Sequence, residues 1–266
     1  MPLRTHPTPP VPPAALNDPA SDTMWTNLGD WSSAQRYGDA AEALALRVGN
    51  AAGLQSHDVV VDYACGYGDS LRLWIERFGV RRAVGVEPDP RVCELLRTRI
   101  AAWGLGGRIT VVASRAELLP PRAADREATA AVCVDAAYHF TTRVAWWTML
   151  AESFASGGRI AAADLLLADG FRAGIALRCV ARAMRIPTEN LMDAPTLRRA
   201  LASLGLEALH IDSCGTEVLD GFAANAPARH LGLRITRGVI RRLRRAGAVD
   251  YAVLSAKCQS GASSST

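Results

Sequence analysis

Val59-Val60-Val61-Asp62-Tyr63-Ala64-Cys65-Gly66-Tyr67-Gly68-Asp69 is the stretch that most narrows how this chain can fold. Three consecutive β-branched apolar residues predict a strand buried on both faces, as in a parallel sheet. An acid ends the strand, a small-residue turn follows, and Ser70-Leu71-Arg72-Leu73-Trp74-Ile75 opens a helical pattern. A strand, a tight turn and a helix N-terminus together make a pocket for an anionic, nucleotide-like ligand. Small residues let the backbone approach the ligand, and the helix end favours negative charge.

Downstream, strands and helices alternate. Helix is expected over 68–78, strand over 82–87, helix over 91–103 and strands over 109–112 and 130–135. Helix over 141–155 and strand over 159–167 follow. This βαβ pattern predicts an α/β fold, a Rossmann-like parallel sheet with helices on both faces, whose strand C-termini form one ligand-binding edge. Ser32-Ser33-Ala34-Gln35 has capping-box spacing and places a preceding helix over 33–50. After Asp169 the pattern changes to helices over 171–185 and 194–204, then strands over 206–211 and 248–256. The expected organisation is a disordered, proline-rich tail over 1–22, one domain over 23–258 with a helical cap inserted at about 169–205, and a flexible tail over 259–266.

Two nucleotide fingerprints fail at the first turn. From Gly66, the third position of G-x-G-x-x-G is Leu71, and no Gly-Lys-Ser/Thr follows. The segment instead resembles motif I of the class I S-adenosylmethionine (SAM)-dependent methyltransferases: Asp62, Gly66 and Gly68 match, and Ala64 replaces the family's first glycine. Glu87, 21 residues after Gly66, stands where an acid accepts hydrogen bonds from ribose hydroxyls. Ser114-Arg115-Ala116-Glu117-Leu118-Leu119-Pro120 is similar to a family segment that carries aspartate where Arg115 stands, and Val134-Asp135-Ala136-Ala137-Tyr138-His139-Phe140 resembles the segment after the fourth strand in small-molecule members.

The resemblance implies a sheet of seven strands, the last antiparallel, and SAM held by Asp62, Ala64, Cys65, Gly66, Glu87, Pro88, Arg115, Ala116 and Asp135. Asp62 has a second reading, as a structural acid that orders the turn. The resemblance also implies a small or lipid-like organic acceptor, with Trp31, Tyr37 and Tyr138 in its binding site. His139 is the candidate general base, because an alcohol or phenol loses a proton as it takes the methyl. On that residue alone, O-methylation is favoured over N- or C-methylation. Ala64 and Arg115 motivate an alternative, a non-catalytic protein of the same fold. A nucleic-acid methyltransferase is the other alternative; Asp135-Ala136-Ala137-Tyr138 lacks the Pro-Pro of amino-directed members.

Composition supports a globular domain: 49% of residues are hydrophobic and the net charge is only +4, too little for a dedicated nucleic-acid binder. Six cysteines with no C-x-x-C pair read as reduced thiols of a cytoplasmic protein, and no metal site is expected. No apolar run approaches the ~20 residues that span a bilayer. The stretch 230–245 combines six arginines with Leu231, Ile235, Val239 and Leu243 at four-residue spacing. A helix packed on the sheet with a solvated arginine face is favoured there over contact with an anionic membrane. Oligomeric state is open at this level.

Overall fold

The computed structural model describes residues 11–154 and 157–259. The first element is a short helix, α1 (Pro13–Leu16), followed by an extended segment and α2 (Tyr37–Ala51). Then come β1 (Val59–Tyr63), α3 (Asp69–Arg77), β2 (Arg82–Glu87), α4 (Pro90–Ala102), β3 (Ile109–Ala113), α5 (Pro121–Ala124), β4 (Ala130–Val134), α6 (Arg143–Ser153) and β5 (Arg159–Leu167). The C-terminal part contains α7 (Ile175–Ala183), α8 (Ala194–Leu201), β6 (Leu206–Ser213), α9 (Gly221–Asn225), α10 (Leu231–Arg245) and β7 (Val249–Cys258).

One seven-stranded sheet runs β3-β2-β1-β4-β5-β7-β6. The pairs from β3 to β5 are parallel, and β7 is antiparallel to both β5 and β6. Chain order reverses between β1 and β4, which opens a crevice at their C-terminal ends. All five residues of β1 are buried, as a doubly covered central strand requires. Edge strand β6 is largely exposed, and its register shifts between Glu207 and His210.

The expected strands and helices are present with ends moved by a few residues, and three expectations need correction. The helix after the N-terminal segment begins at Tyr37 with Arg36 as its cap, so the Ser32–Gln35 spacing is not used. The expected tail is ordered from residue 11: Asn17 is buried and donates to the carbonyl oxygens of Pro13 and Trp25, and Asp22 pairs with Arg72. Residues 1–10 and 260–266 of the expected tails lie outside the described residues. Finally, the cap is not confined to 169–205, because α9 and α10, between β6 and β7, cover the same end of the sheet. All six cysteines are free and only Cys179 is exposed.

Candidate active site

The turn after β1 is a run of left-handed backbone: φ is +57° at Ala64, +54° at Gly66 and +86° at Gly68. For alanine that conformation costs on the order of 1–2 kcal/mol. The Ala64 N–H donates to Val86 O at 2.8 Å and holds it there. Gly68 is doubly constrained, since a Cβ would lie 2.2 Å from Leu96 Cδ1. Leu71, the residue that breaks the dinucleotide fingerprint, is fully buried where Gly85 of β2 leaves room; a Cβ on Gly85 would meet Leu71 Cδ1 at 2.6 Å.

Glu87 sits at the end of β2 beside this turn. Its Oε2 accepts the Gly66 N–H at 3.2 Å and its Oε1 the Asp89 N–H at 3.0 Å. Burial pushes its carboxyl upward, and those two amides oppose the shift. Each oxygen keeps a further lone pair for a ligand hydroxyl. Asp62 accepts Trp74 Nε1–H at 2.8 Å, a bond to α3 and not to the turn it was expected to order, and burial raises its carboxyl to about 6. It therefore ties β1 to α3 while also reaching the cavity floor.

A cavity of about 350 Å³ lies over the turn, lined by Ala64, Cys65, Gly68 and Ser70 below and by Met24 to Asn27 above. The upper wall is tied down at both ends. Met24 N–H donates to Asp69, whose carboxylate is gripped bidentately by Arg99, and Leu28 N–H donates to Asp135 Oδ2 at 2.7 Å. Tyr37 and Trp31 brace this segment rather than line either cavity, which corrects their expected role. Tyr37 OH donates to Asn27 O at 2.7 Å, and Trp31 Nε1–H to Leu28 O at 2.9 Å.

Asp135, expected among the cofactor ligands, has both oxygens engaged by protein donors. Besides Leu28 N–H, its Oδ1 accepts Tyr138 OH at 3.0 Å and Tyr251 OH at 2.7 Å. Its φ is +62°, and burial raises its carboxyl to about 7. It stands between the first cavity and a second one, because Asn27 and Val134 line the first, and Leu28 and Tyr138 line the second.

The second cavity, about 770 Å³, is walled by β5 (Leu165 to Leu167), α7, the 186–191 loop and α10, and it is almost wholly apolar. Its one lining cation, Arg143, is neutralised: Nη1 meets Asp164 Oδ2 at 2.8 Å and Leu165 O at 3.0 Å, while Nη2 donates to Asn190 O. His139 lies on the wall, exposed, with Nδ1 3.1 Å from Arg185 O, which selects the tautomer with its basic electron pair on Nε2. The wall residues on α10 carried no functional signal in sequence, because an apolar helix face reads as packing.

Arg115 and Ala116 begin the 3₁₀ turn Ala116–Leu118 after β3. Arg115 donates to Thr141 Oγ1 and lies 3.6 Å from Glu117, so its charge turns toward the segment before α6. Pro88 is half-buried between Glu87 and Asp89, the N-cap of α4. Among the described residues no cluster suits a metal ion, and no helix is long and apolar enough to cross a membrane.

Residues 60–158 match the family described as "Methyltransferase domain". The sequence matches no curated protein. Among solved structures, geranyl diphosphate C-methyltransferase from Streptomyces coelicolor A3(2) superposes with a TM-score of 0.67 at 16% identity, over 91% of this chain and 88% of that one. A structure assigned as a sarcosine dimethylglycine methyltransferase from Galdieria sulphuraria gives 0.73 at 17%, over 88% and 93%. The [4+2]-cyclase SpnF gives 0.68 at 17%, over 87% of each chain. At these identities the likeness is one of fold. The residues that match the methyltransferase-domain family, 60–158, carry the left-handed turn and the acid at the end of β2, and the chain as a whole has the fold of these solved methyltransferases.

Proposed function

We propose that the protein transfers a methyl group from SAM to a hydroxyl of an uncharged, apolar small molecule. The observation that carries this reading is the apolar cavity of about 770 Å³ across Asp135 from the cofactor turn, whose one buried cation is already cancelled by Asp164. A charged acceptor would lose hydration there without gaining a partner. The turn at 64–68, Glu87 and the N-terminus of α3 are the groups suited to hold SAM. When bound, SAM supplies an activated methyl on a sulfonium.

The chain's own contribution is alignment. With SAM held by the turn and Glu87, its sulfonium would supply the methyl to the acceptor oxygen and keep the carbon–sulfur electron pair, and His139 Nε2 would take the hydroxyl proton. Tyr138, fixed by Asp135, shapes the wall beside it.

Calorimetry with SAM, followed by a labelled-methyl screen of hydroxylated apolar compounds, tests the reading. Binding and a methyl ether product are expected. No SAM binding at millimolar concentration overturns the enzyme reading, and products made only from charged acceptors overturn the acceptor class. His139→Ala should lower kcat about 100-fold with SAM affinity unchanged; near-normal turnover removes His139 as the base.

A further inference from the structure

Helix α10 has one face in the acceptor cavity and two unlike flanks. Thr236, Val239, Ile240 and Leu243 line the cavity. On one flank the arginines are used internally: Arg237 and Arg241 donate to carbonyl oxygens at the end of α9, and Arg244 pairs with Asp220. On the other flank Arg234, Arg242 and Arg245 are exposed and have no partner among the described residues. Beside them Leu231 and Ile235 are 67% and 58% exposed. Leu231, Ile235 and Val239 recur every four residues, so this apolar ridge continues into the cavity wall.

Helix α7, on the same cavity, repeats the arrangement. Leu177, Val180, Ala181 and Met184 face inward and only Ala181 is buried, while Ile175 is 84% exposed and Arg178 and Arg182 are exposed. Of the five large hydrophobic side chains left exposed in the described chain, three lie on these two helices. The pair carries two arginines on α7, six on α10 and no acidic residue. A polyanion such as nucleic acid would satisfy the arginines and leave the apolar side chains in water. An apolar partner protein would leave the arginines uncompensated.

We propose that the outer flanks of α7 and α10 form a docking face for an anionic bilayer surface, with Ile175, Leu231 and Ile235 entering the headgroup boundary and the unpartnered arginines meeting lipid phosphates. Docking does not depend on which acceptor is methylated. It sets the cavity wall beside the acyl layer, where apolar acceptors partition.

The test is flotation of the full chain with vesicles of phosphatidylglycerol and phosphatidylcholine, against phosphatidylcholine alone. Binding to the anionic vesicles is expected, weaker by about tenfold without the anionic lipid and falling as salt rises. Leu231→Ser with Ile235→Ser, and separately Arg234→Glu with Arg242→Glu and Arg245→Glu, should each reduce partition about tenfold or more. All five positions are exposed and outside the cofactor turn, so far-UV dichroism and SAM binding should be unchanged. Equal binding to both vesicle types, no binding at low salt, or binding that both variant sets retain overturns the proposal. So does light scattering that shows a dimer lost on Ile235→Ser, which would assign the face to a second copy. None of these failures touches methyl transfer to a soluble acceptor.

Discussion

The turn after β1 and the apolar cavity share Asp135 as a border, yet they are assembled in opposite ways. The turn is built from backbone: left-handed φ angles, amides on Glu87 and a helix end, with its lower wall drawn from the short run 62–70. The cavity is built from side chains on β5, α7, α10 and two loops far apart in sequence. The turn tolerates little, because a single Cβ at Gly68 collides with Leu96. The cavity wall is aliphatic and can be repacked. The difference teaches that one half fixes backbone geometry while the other leaves the lining of its cavity open to change.

The strongest way to break that contrast is at the one rigid point of the acceptor side, the buried Arg143–Asp164 pair. Asp164→Ala leaves a buried guanidinium unpaired and should cost about 3–5 kcal/mol in urea unfolding at pH 8. A loss under 1 kcal/mol would show that the cavity floor is as soft as its wall.

A somewhat smaller effect is expected from pH. Burial raises Asp62 to about 6, so its folded pKa exceeds that of the unfolded chain. An acid shifted this way contributes stability that is full below pH 4 and lost as pH rises through 6. The amount is on the order of 3 kcal/mol. Asp62→Asn should remove that contribution to the slope; an unchanged pH profile would show that burial does not shift the Asp62 carboxyl.

Gly68→Ala combines a left-handed alanine with the Leu96 collision and should cost about 2–3 kcal/mol and weaken SAM binding. Glu87→Gln keeps the shape but turns one acceptor oxygen into an NH2 that faces the Gly66 or Asp89 N–H, so it should weaken SAM binding about tenfold and cost about 1–2 kcal/mol. The smallest effect sharpens the comparison from the other side: Ala64→Gly should relieve strain and add up to about 1 kcal/mol, with SAM affinity retained. A loss of affinity there would mean that the Ala64 methyl contacts the cofactor.

Much of the first half was legible in the sequence because its signals are local. Val59 to Val61, the acids at 62 and 87 and the glycines at 66 and 68 each dictate a conformation within a few residues of themselves. What was not legible depends on long-range contacts. Trp31 and Tyr37 are aromatic and near the site in sequence, but packing turned them to brace the segment behind Asn27 and Leu28. The arginines of α10 divide into internal and unpartnered sets only because α9 lies along one flank. Asp135 as a border post depends on Tyr251, which no spacing rule connects to it.

That last contact has a consequence for how the site comes into being. Asp135 accepts from Leu28, 107 positions earlier, and from Tyr251, 116 positions later. Closing loops of that length is slow relative to forming the local turn after β1. A chain emerging from the ribosome can therefore form the glycine turn long before β7 exists, but it cannot pin the wall between the two cavities until Tyr251 of β7 has been made.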